Sequence, residues 1–502
     1  MSQLNVFITG YLAGISGYYM RQVAVICVLF IFGAILTDAV TTAGMPAIRR
    51  CVLAFPVGLS AFIITAYAIL VAAIPYNVTS VCLAVGCEAA VAVIVRRHAF
   101  TGSVPGRCKH MAIALTVVVA VALFACSALT PVAISNDTMY YFKRYPECIV
   151  YYEGLRDQFD CWLTDTGLGS VVIDTLPPMF GFGESFGIRE FFHIDFMVFF
   201  YICIWDRAKK YFWGRDAIVV AAIATLFLAV ATPFLILGHW ALANMYFMEL
   251  FFIAAYTVLD RDDMIIVGSI LIVALSLLRI EGTVFAVWLL LCLALYSGRR
   301  RRLAVYTLLP TIVLFGGYCI RIFTQFYLYD NIYLFLKPAK AVVLVSALIG
   351  TAVYISFIQS KLPQSLQKRL PVIYIVGLVA ANLILLVRNS ELYIGDLKVF
   401  IANLFGQSGW GMLPYFVISM TAVLAVEFFV SRGKRKTAAD DFDSFNIVLT
   451  VGFLLVAVIA SFGRGDVMQQ YIGDSGNRVM LQIVPLVVMT YSSLFMGQFA
   501  EN

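Results

Sequence analysis

The chain has 502 residues, of which 62% are hydrophobic and only 13% are charged, and its formal net charge at pH 7 is +6. The charged fraction is about half the value of roughly 25% that is usual in soluble domains, so the composition excludes an ordinary soluble protein. It also argues against nucleic-acid binding, because the basic residues stand in short clusters between apolar runs. The composition therefore predicts an all-α, polytopic membrane protein.

Apolar runs recur along the whole chain and predict about 13–15 transmembrane helices of about 20 residues each. The predicted spans cover approximately residues 22–40, 51–74, 79–95, 110–134, 191–205, 217–237, 241–259, 264–279, 283–297, 303–321, 340–358, 371–387, 411–431, 446–462 and 479–496. The run at 191–205 is short for a span, so we expect its helix to begin earlier or to end later.

The basic clusters predict which span ends face the cytoplasm, because Lys and Arg are retained on that side. When the spans are threaded alternately through the membrane, one side receives Arg49–Arg50, Arg96–Arg97, Arg207–Arg215, Arg299–Arg302, Lys361–Arg369 and Arg432–Lys436. One miscounted span between any two clusters would break this agreement. The opposite side then carries the longest polar stretch, residues 135–190, which is predicted to be a large extracytoplasmic loop.

A carboxylate stands at the start of this stretch, in the segment SNDTMYY (residues 135–141), directly after an apolar run. Transfer of a sugar to a hydroxyl needs a base that takes the acceptor proton, and Asp137 at the membrane surface has the chemistry for that role. From position alone, however, a solvated carboxylate that merely ends a helix explains Asp137 at least as well.

Two further segments place arginine near span ends on the same side: LRIEG (residues 278–282), and SGNR (residues 475–478) before the last span. Arginine binds phosphate through forked hydrogen bonds, so these positions suit a phosphate group at the membrane surface. The alternatives are an arginine that extends from a span end to the interface, or a structural ion pair between Arg279 and Glu281.

These three segments, in this order and on one side, resemble motifs of the GT-C superfamily of polytopic glycosyltransferases. In that family an Asp of the first external loop is the catalytic base, and the resemblance spans about residues 111–494. It implies that Asp137 is the base and that substrates are bound by Tyr140, Tyr141, Arg279, Glu281, Asn477 and Arg478. The simplest members place the catalytic loop after the first span, whereas about three spans precede the one before Asp137. Residues 1–109 are therefore predicted to be an added group of transmembrane helices, and residues 110–502 the catalytic core.

The external stretch contains other candidates. Glu184, in the segment GFGESFG, is the best second catalytic carboxylate, although its glycines are equally consistent with a simple turn. Cys148 and Cys161 lie on the predicted oxidising side and form either a disulfide or two free thiols. The four histidines are scattered, so a divalent metal is not favoured, and no glycine-rich phosphate loop indicates a nucleotide cofactor.

The sequence thus predicts an integral-membrane enzyme that transfers a sugar from a polyprenyl-phosphate donor to a hydroxyl of a lipid- or glycan-linked acceptor. The reaction is expected on the periplasmic face of a bacterial inner membrane, in the synthesis of cell-envelope polysaccharide. An O-antigen polymerase or ligase is the nearest alternative. A polysaccharide flippase or secondary transporter is another, but it predicts polar residues near the bilayer midplane, where this sequence has few charges.

Overall fold

The structure is a computed structural model that describes residues 2–41, 45–97, 143–155, 167–182, 186–231, 243–260, 264–326, 336–402, 404–405, 413–430, 441–465 and 482–499. All regular elements within these ranges are helices. This result confirms the predicted all-α class.

The helices run in chain order as α1 Ser2–Val40, α2 Ala47–Val71, α3 Val78–Arg97, α4 Tyr145–Tyr151, α5 Leu168–Ile173, α6 Leu176–Phe180, α7 Phe186–Ala208, α8 Arg215–Ala229, α9 Ala243–Asp260, α10 Ile265–Leu278, α11 Ile280–Tyr296, α12 Arg300–Phe326, α13 Pro338–Val353, α14 Gln364–Gln367, α15 Leu370–Arg388, α16 Ser390–Ala402, α17 Leu413–Val430, α18 Asp441–Arg464 and α19 Val484–Phe499. A π-helical turn at Tyr354–Ile358 and a 3-10 turn at Gln359–Lys361 follow α13 directly.

Seven helices in the described ranges are long and apolar enough to cross a membrane. They cover Met20–Val40, Ala47–Val71, Val78–Val95, Arg300–Thr324, Pro338–Lys361, Leu370–Arg388 and Asp441–Gly463. The shorter apolar helices α9, α10, α11, α17 and α19 match further predicted spans. The apolar segment Leu168–Phe180 matches none, because it lies in the stretch predicted to be an external loop. The structure therefore supports a membrane protein, while the total of about 13–15 spans stays a prediction, because the run at 110–134 lies outside the described residues.

Predicted and observed boundaries agree closely where an apolar run is flanked by charge. The span predicted at 371–387 is the helix Leu370–Arg388. The short run at 191–205 belongs to the longer helix Phe186–Ala208, which extends past it at both ends, as expected.

Helix α10 lies at the centre of the bundle and packs against α2, α9, α11 and α12. Its sequence, IIVGSILIVALSLL, is apolar on every side, and almost all of its residues are buried. A helix without a polar face has no side to expose to water, so it takes the innermost position.

Several basic residues lie at one end of the bundle, where they pair with residues at the ends of other helices. Arg49 at the start of α2 pairs with Asp206 at the end of α7, and Arg207 lies 2.8 Å from Asp443 at the start of α18. The amide of Gln359 donates to the carbonyl of Ala294, near the end of α11, at 3.2 Å. We call this end, which also carries Arg299–Arg302, the basic end.

The opposite end carries the described part of the predicted external stretch. The backbone amide of Tyr76, between α2 and α3, donates to the carbonyl of Glu153 at 2.8 Å. The Arg21 side chain of α1 donates to the carbonyl of Gly181 at 2.7 Å. We call this end the loop end. The side of the membrane that each end faces stays a prediction.

The predicted division at residues 109 and 110 lies outside the described ranges, so it stays a prediction. From the N-terminal part, α2 packs against α5, α7, α10 and α12, and most of its residues are buried.

Candidate functional site

The turn between α10 and α11 projects Arg279 at the loop end. Arg279 is the one residue between the two helices, and its backbone is extended, with φ −143° and ψ 158°. Both helices are largely buried, whereas the side chains of Arg279 and Glu281 are 15% and 19% exposed. An arginine in this position is partly desolvated but still reachable from the end of the bundle.

Two side chains hold the Arg279 guanidinium in place. Its Nε donates to Glu281 Oε2 at 3.3 Å, and its Nη1 donates to Oδ1 of Asn244, which is buried on the first turn of α9. The ion pair between Arg279 and Glu281, which the sequence offered as the structural alternative to a phosphate-binding arginine, is thus observed. Asn244 is an addition that the sequence did not indicate. A guanidinium held in this way can donate hydrogen bonds to an anionic group such as a phosphate.

The predicted external stretch packs directly on this turn. Gly167 has φ +91°, and a Cβ at this position would overlap the backbone of Arg279. A Cβ on Gly169 would lie 2.5 Å from the carbonyl oxygen of Leu277. Because glycine allows a positive φ and a backbone-to-backbone approach, the two glycines bring the stretch against the end of α10. Segments more than one hundred positions apart therefore meet at the loop end.

A buried ion pair fixes the next part of the stretch. Asp174, in the turn between α5 and α6, accepts hydrogen bonds from Nη2 of Arg189 with both carboxylate oxygens, each at 2.9 Å. The side chains are 1% and 9% exposed. The Arg189 guanidinium also lies over the ring of Tyr246, 5.2 Å from its centroid. The ion pair connects the stretch to α7, and the contact with the Tyr246 ring connects α7 to α9.

A second pair of ionisable groups lies away from the helix ends. Nδ1 of His193 on α7 is 2.8 Å from Oε1 of Glu249 on α9, and the Glu249 side chain is almost completely buried. Asp195 is also buried, and its Oδ2 has no hydrogen-bond partner within the described part of the chain. Charge inside an apolar helical bundle is costly and frequently marks a functional site.

A buried tyrosine connects two segments at the loop end. The hydroxyl of Tyr76 lies 2.7 Å from the hydroxyl of Thr175. Burial raises the pKa of the Tyr76 phenol, and the hydrogen bond with Thr175 opposes that change only in part. The phenol therefore stays protonated near neutral pH and contributes a hydrogen bond rather than a charge.

The structure describes only some of the predicted site residues. Arg279 and Glu281 lie together at the loop end, and Cys148 lies on α4. The remaining candidates are outside the described residues: Asp137, Tyr140, Tyr141, Cys161, Glu184, Asn477 and Arg478. Their roles, and the proposed disulfide, stay predictions.

Sequence reasoning did not single out Arg189 or Glu249. Nor did it single out Asp174, and it counted His193 only among the four scattered histidines. The signal that would have found Glu249 is a carboxylate inside the apolar run predicted at 241–259. For Arg189 no comparable signal exists, because it precedes the apolar run and pairs only through the tertiary fold.

A cavity of about 860 Å³ lies at the basic end, away from the Arg279 turn. Its lining residues include Arg49, Arg207 and Lys210. Asp206 and Asp441 also line it, so its charge is mixed. Nothing in its lining matches the motifs of the predicted reaction, and we place the candidate site at the loop end. Within the described ranges, no group of three or more His, Cys, Asp or Glu side chains could hold a metal ion.

Comparison with family models, curated proteins and solved structures gives no match. Function must therefore be argued from the residues of this chain.

Proposed function

We propose that the chain is an integral-membrane glycosyltransferase of GT-C type. It takes one sugar from a polyprenyl phosphate and transfers it to an acceptor hydroxyl at the loop end of the bundle. The bond between the anomeric carbon and the phosphate oxygen breaks, and a new bond forms from that carbon to the acceptor oxygen. Asp137 takes the acceptor proton, and the phosphate leaves with the prenyl chain.

The residues divide between the two substrates. Arg279 and Arg478 bind the leaving phosphate, because a guanidinium forms paired, charge-assisted hydrogen bonds to phosphate oxygens. Glu281 and Asn244 keep Arg279 in place. Tyr140, Tyr141 and Asn477 contact the sugar or the acceptor, and Glu184 is the candidate for a second catalytic carboxylate.

One observation carries this proposal: the external stretch and the Arg279 turn, far apart in sequence, are in backbone contact through Gly167. The resemblance to GT-C enzymes requires these two segments to share one site. Their contact supports that requirement, and the partial exposure of Arg279 supports a role in binding rather than in packing alone.

The test is donor turnover by the purified full-length chain in lipid nanodiscs. A panel of synthetic polyprenyl-phosphate hexoses and pentoses is supplied with envelope glycolipid acceptors, and released polyprenyl phosphate is measured by mass spectrometry. Asp137→Asn keeps the shape of the side chain but cannot accept the proton, so turnover should fall by about 10²–10⁴-fold.

The matched control is Glu153→Gln, which removes an exposed carboxylate of the same stretch. Turnover by this variant should equal that of the unmodified chain. A correctly folded Asp137→Asn variant with undiminished turnover would show that the proposed mechanism is wrong.

The buried ionisable groups favour a second candidate, a flippase or secondary transporter. Asp195 and Glu249 are buried inside the bundle, where the sequence had indicated few charges, and His193 contacts Glu249 from a partly buried position. Transporters often place such groups near the middle of the membrane. This function predicts movement of the intact lipid-linked sugar between leaflets of a proteoliposome, without release of polyprenyl phosphate. It also predicts that Glu249→Gln abolishes the movement, whereas Asp137→Asn does not.

A further inference from the structure

Four consecutive arginines lie at the basic end, Arg299 directly before α12 and Arg300–Arg302 in its first turn. Arg299, Arg301 and Arg302 are exposed, and Arg300 is half-buried. Retention of positive charge on one side of a membrane requires such residues to be present, but it requires no particular arrangement around them. In the structure, however, the residues around these arginines form a defined cavity.

The arginines line a cavity of about 660 Å³ whose other wall includes Ile355, Ser356 and Ser360. That wall is the π-helical and 3-10 segment after α13. The segment is anchored by the buried Gln359, whose amide donates to the carbonyl of Ala294. The guanidinium of Arg301 lies 5.4 Å from the ring centroid of Phe357, a cation–π distance that helps to fix its position.

The charge of this cavity is uncompensated in the described part of the chain. No acidic residue is among its lining residues. Arg299–Arg302 form no ion pair with any described carboxylate, whereas Arg49 and Arg207 at the same end pair with Asp206 and Asp443. Guanidinium groups with two serine hydroxyls beside them provide donors for a phosphate oxygen.

Apolar surface continues from the cavity along α12. Arg302, Tyr306, Leu309 and Val313 recur at helical spacing, and the last three are 45%, 58% and 62% exposed. Phe357 is exposed on the other wall. In a membrane-spanning chain this face contacts acyl chains. A ligand that joins a phosphate to acyl chains would contact both surfaces at once.

We propose that this cavity binds the headgroup of an anionic phospholipid at the basic end. Its phosphate contacts the arginines and Ser356, and its acyl chains lie along the exposed face of α12. Basic pockets between transmembrane helices recognise anionic headgroups in this manner. The cavity lies at the opposite end from the proposed catalytic site, so the assignment does not depend on the proposed function.

The test is native mass spectrometry of the detergent-purified full-length chain with phosphatidylglycerol or phosphatidylcholine of identical acyl chains. The unmodified chain should retain phosphatidylglycerol preferentially. The double variant Arg300→Gln/Arg301→Gln should bind it about tenfold or more weakly, the change expected for loss of a charge-assisted hydrogen bond. Ser356→Leu fills the cavity and keeps every charge, so it should weaken binding without altering membrane insertion.

The matched control is Lys368→Gln/Arg369→Gln, which removes the same charge from exposed positions of the neighbouring connector that do not line the cavity. This variant should bind phosphatidylglycerol normally. Equal weakening in both double variants would indicate general surface attraction and contradict the proposal. So would equal retention of the two lipids, or displacement of bound lipid by equimolar inorganic phosphate, which would assign the cavity to a free anion.

Discussion

At the scale of single residues, the ion pair between Asp174 and Arg189 should be the most sensitive point of the loop end. Arg189→Met leaves the Asp174 carboxylate buried without its charge partner. Removal of one member of such a pair costs about 3–5 kcal/mol, and we expect the free energy of unfolding to fall by that amount. The measurement is thermal or denaturant unfolding of the purified chain in detergent.

Lys209→Met is the matched control, because Lys209 pairs with Asp206 at the surface and is 47% exposed. Exposed pairs contribute about 0–1 kcal/mol, and Asp206 keeps its contact with Arg49 in this variant. If both substitutions reduced stability equally, the pair of Asp174 and Arg189 would have no special structural role.

At the scale of elements, α1 and α2 cross in backbone contact at Gly33 and Gly58. A Cβ on Gly58 would overlap the carbonyl of Leu29, and one on Gly33 would overlap the carbonyl of Ala54. Small residues allow such approaches between helices in membranes. Gly58→Ala should therefore force the helices apart and lower the free energy of unfolding by about 1–3 kcal/mol.

The same substitution at Gly86 on α3 should not lower the free energy of unfolding. Apart from the backbone of its own helix turn, no described atom lies within 4 Å of a Cβ placed there. Gly86→Ala should leave stability unchanged or raise it by about 0.5–1 kcal/mol, because alanine restricts the unfolded backbone more than glycine. Similar unfolding curves for the two variants would contradict the assigned crossing.

At the scale of the whole molecule, the basic end and the loop end should lie on opposite sides of the membrane. Epitope tags at Gly298 and after Lys436 should be reached from the cytoplasm, because both are next to basic clusters. Tags near Thr164 and Gly473 should be reached from the other side. Gly298 is preferable to positions after Arg300, where α12 has begun.

The measurement is antibody accessibility in intact cells and in inverted membrane vesicles. Tags at Thr164 and Gly298 that were accessible from the same side would contradict the placement of the candidate site. They would also remove the basis on which Asp137 was assigned to the external loop.

The sequence by itself determined the class of the molecule and most of its helices. Apolar runs are a local property, and a helix satisfies its own backbone hydrogen bonds, so the span predicted at 303–321 is found within the helix Arg300–Phe326. The hairpin that carries Arg279 and Glu281 could also be predicted, since the two residues are neighbours in sequence and interact across one turn.

Only the tertiary structure decided which charges are buried together. Helix α7 extends beyond its apolar run because its charged ends meet partners elsewhere, Arg189 with Asp174 and Arg207 with Asp443. The stretch at 135–190 was predicted to be a large external loop, yet Leu168–Ile173 is fully buried, since Gly167 and Gly169 let it approach the end of α10. A buried charge is stabilised by a partner that is close in space but not in sequence, and no local pattern contains that information.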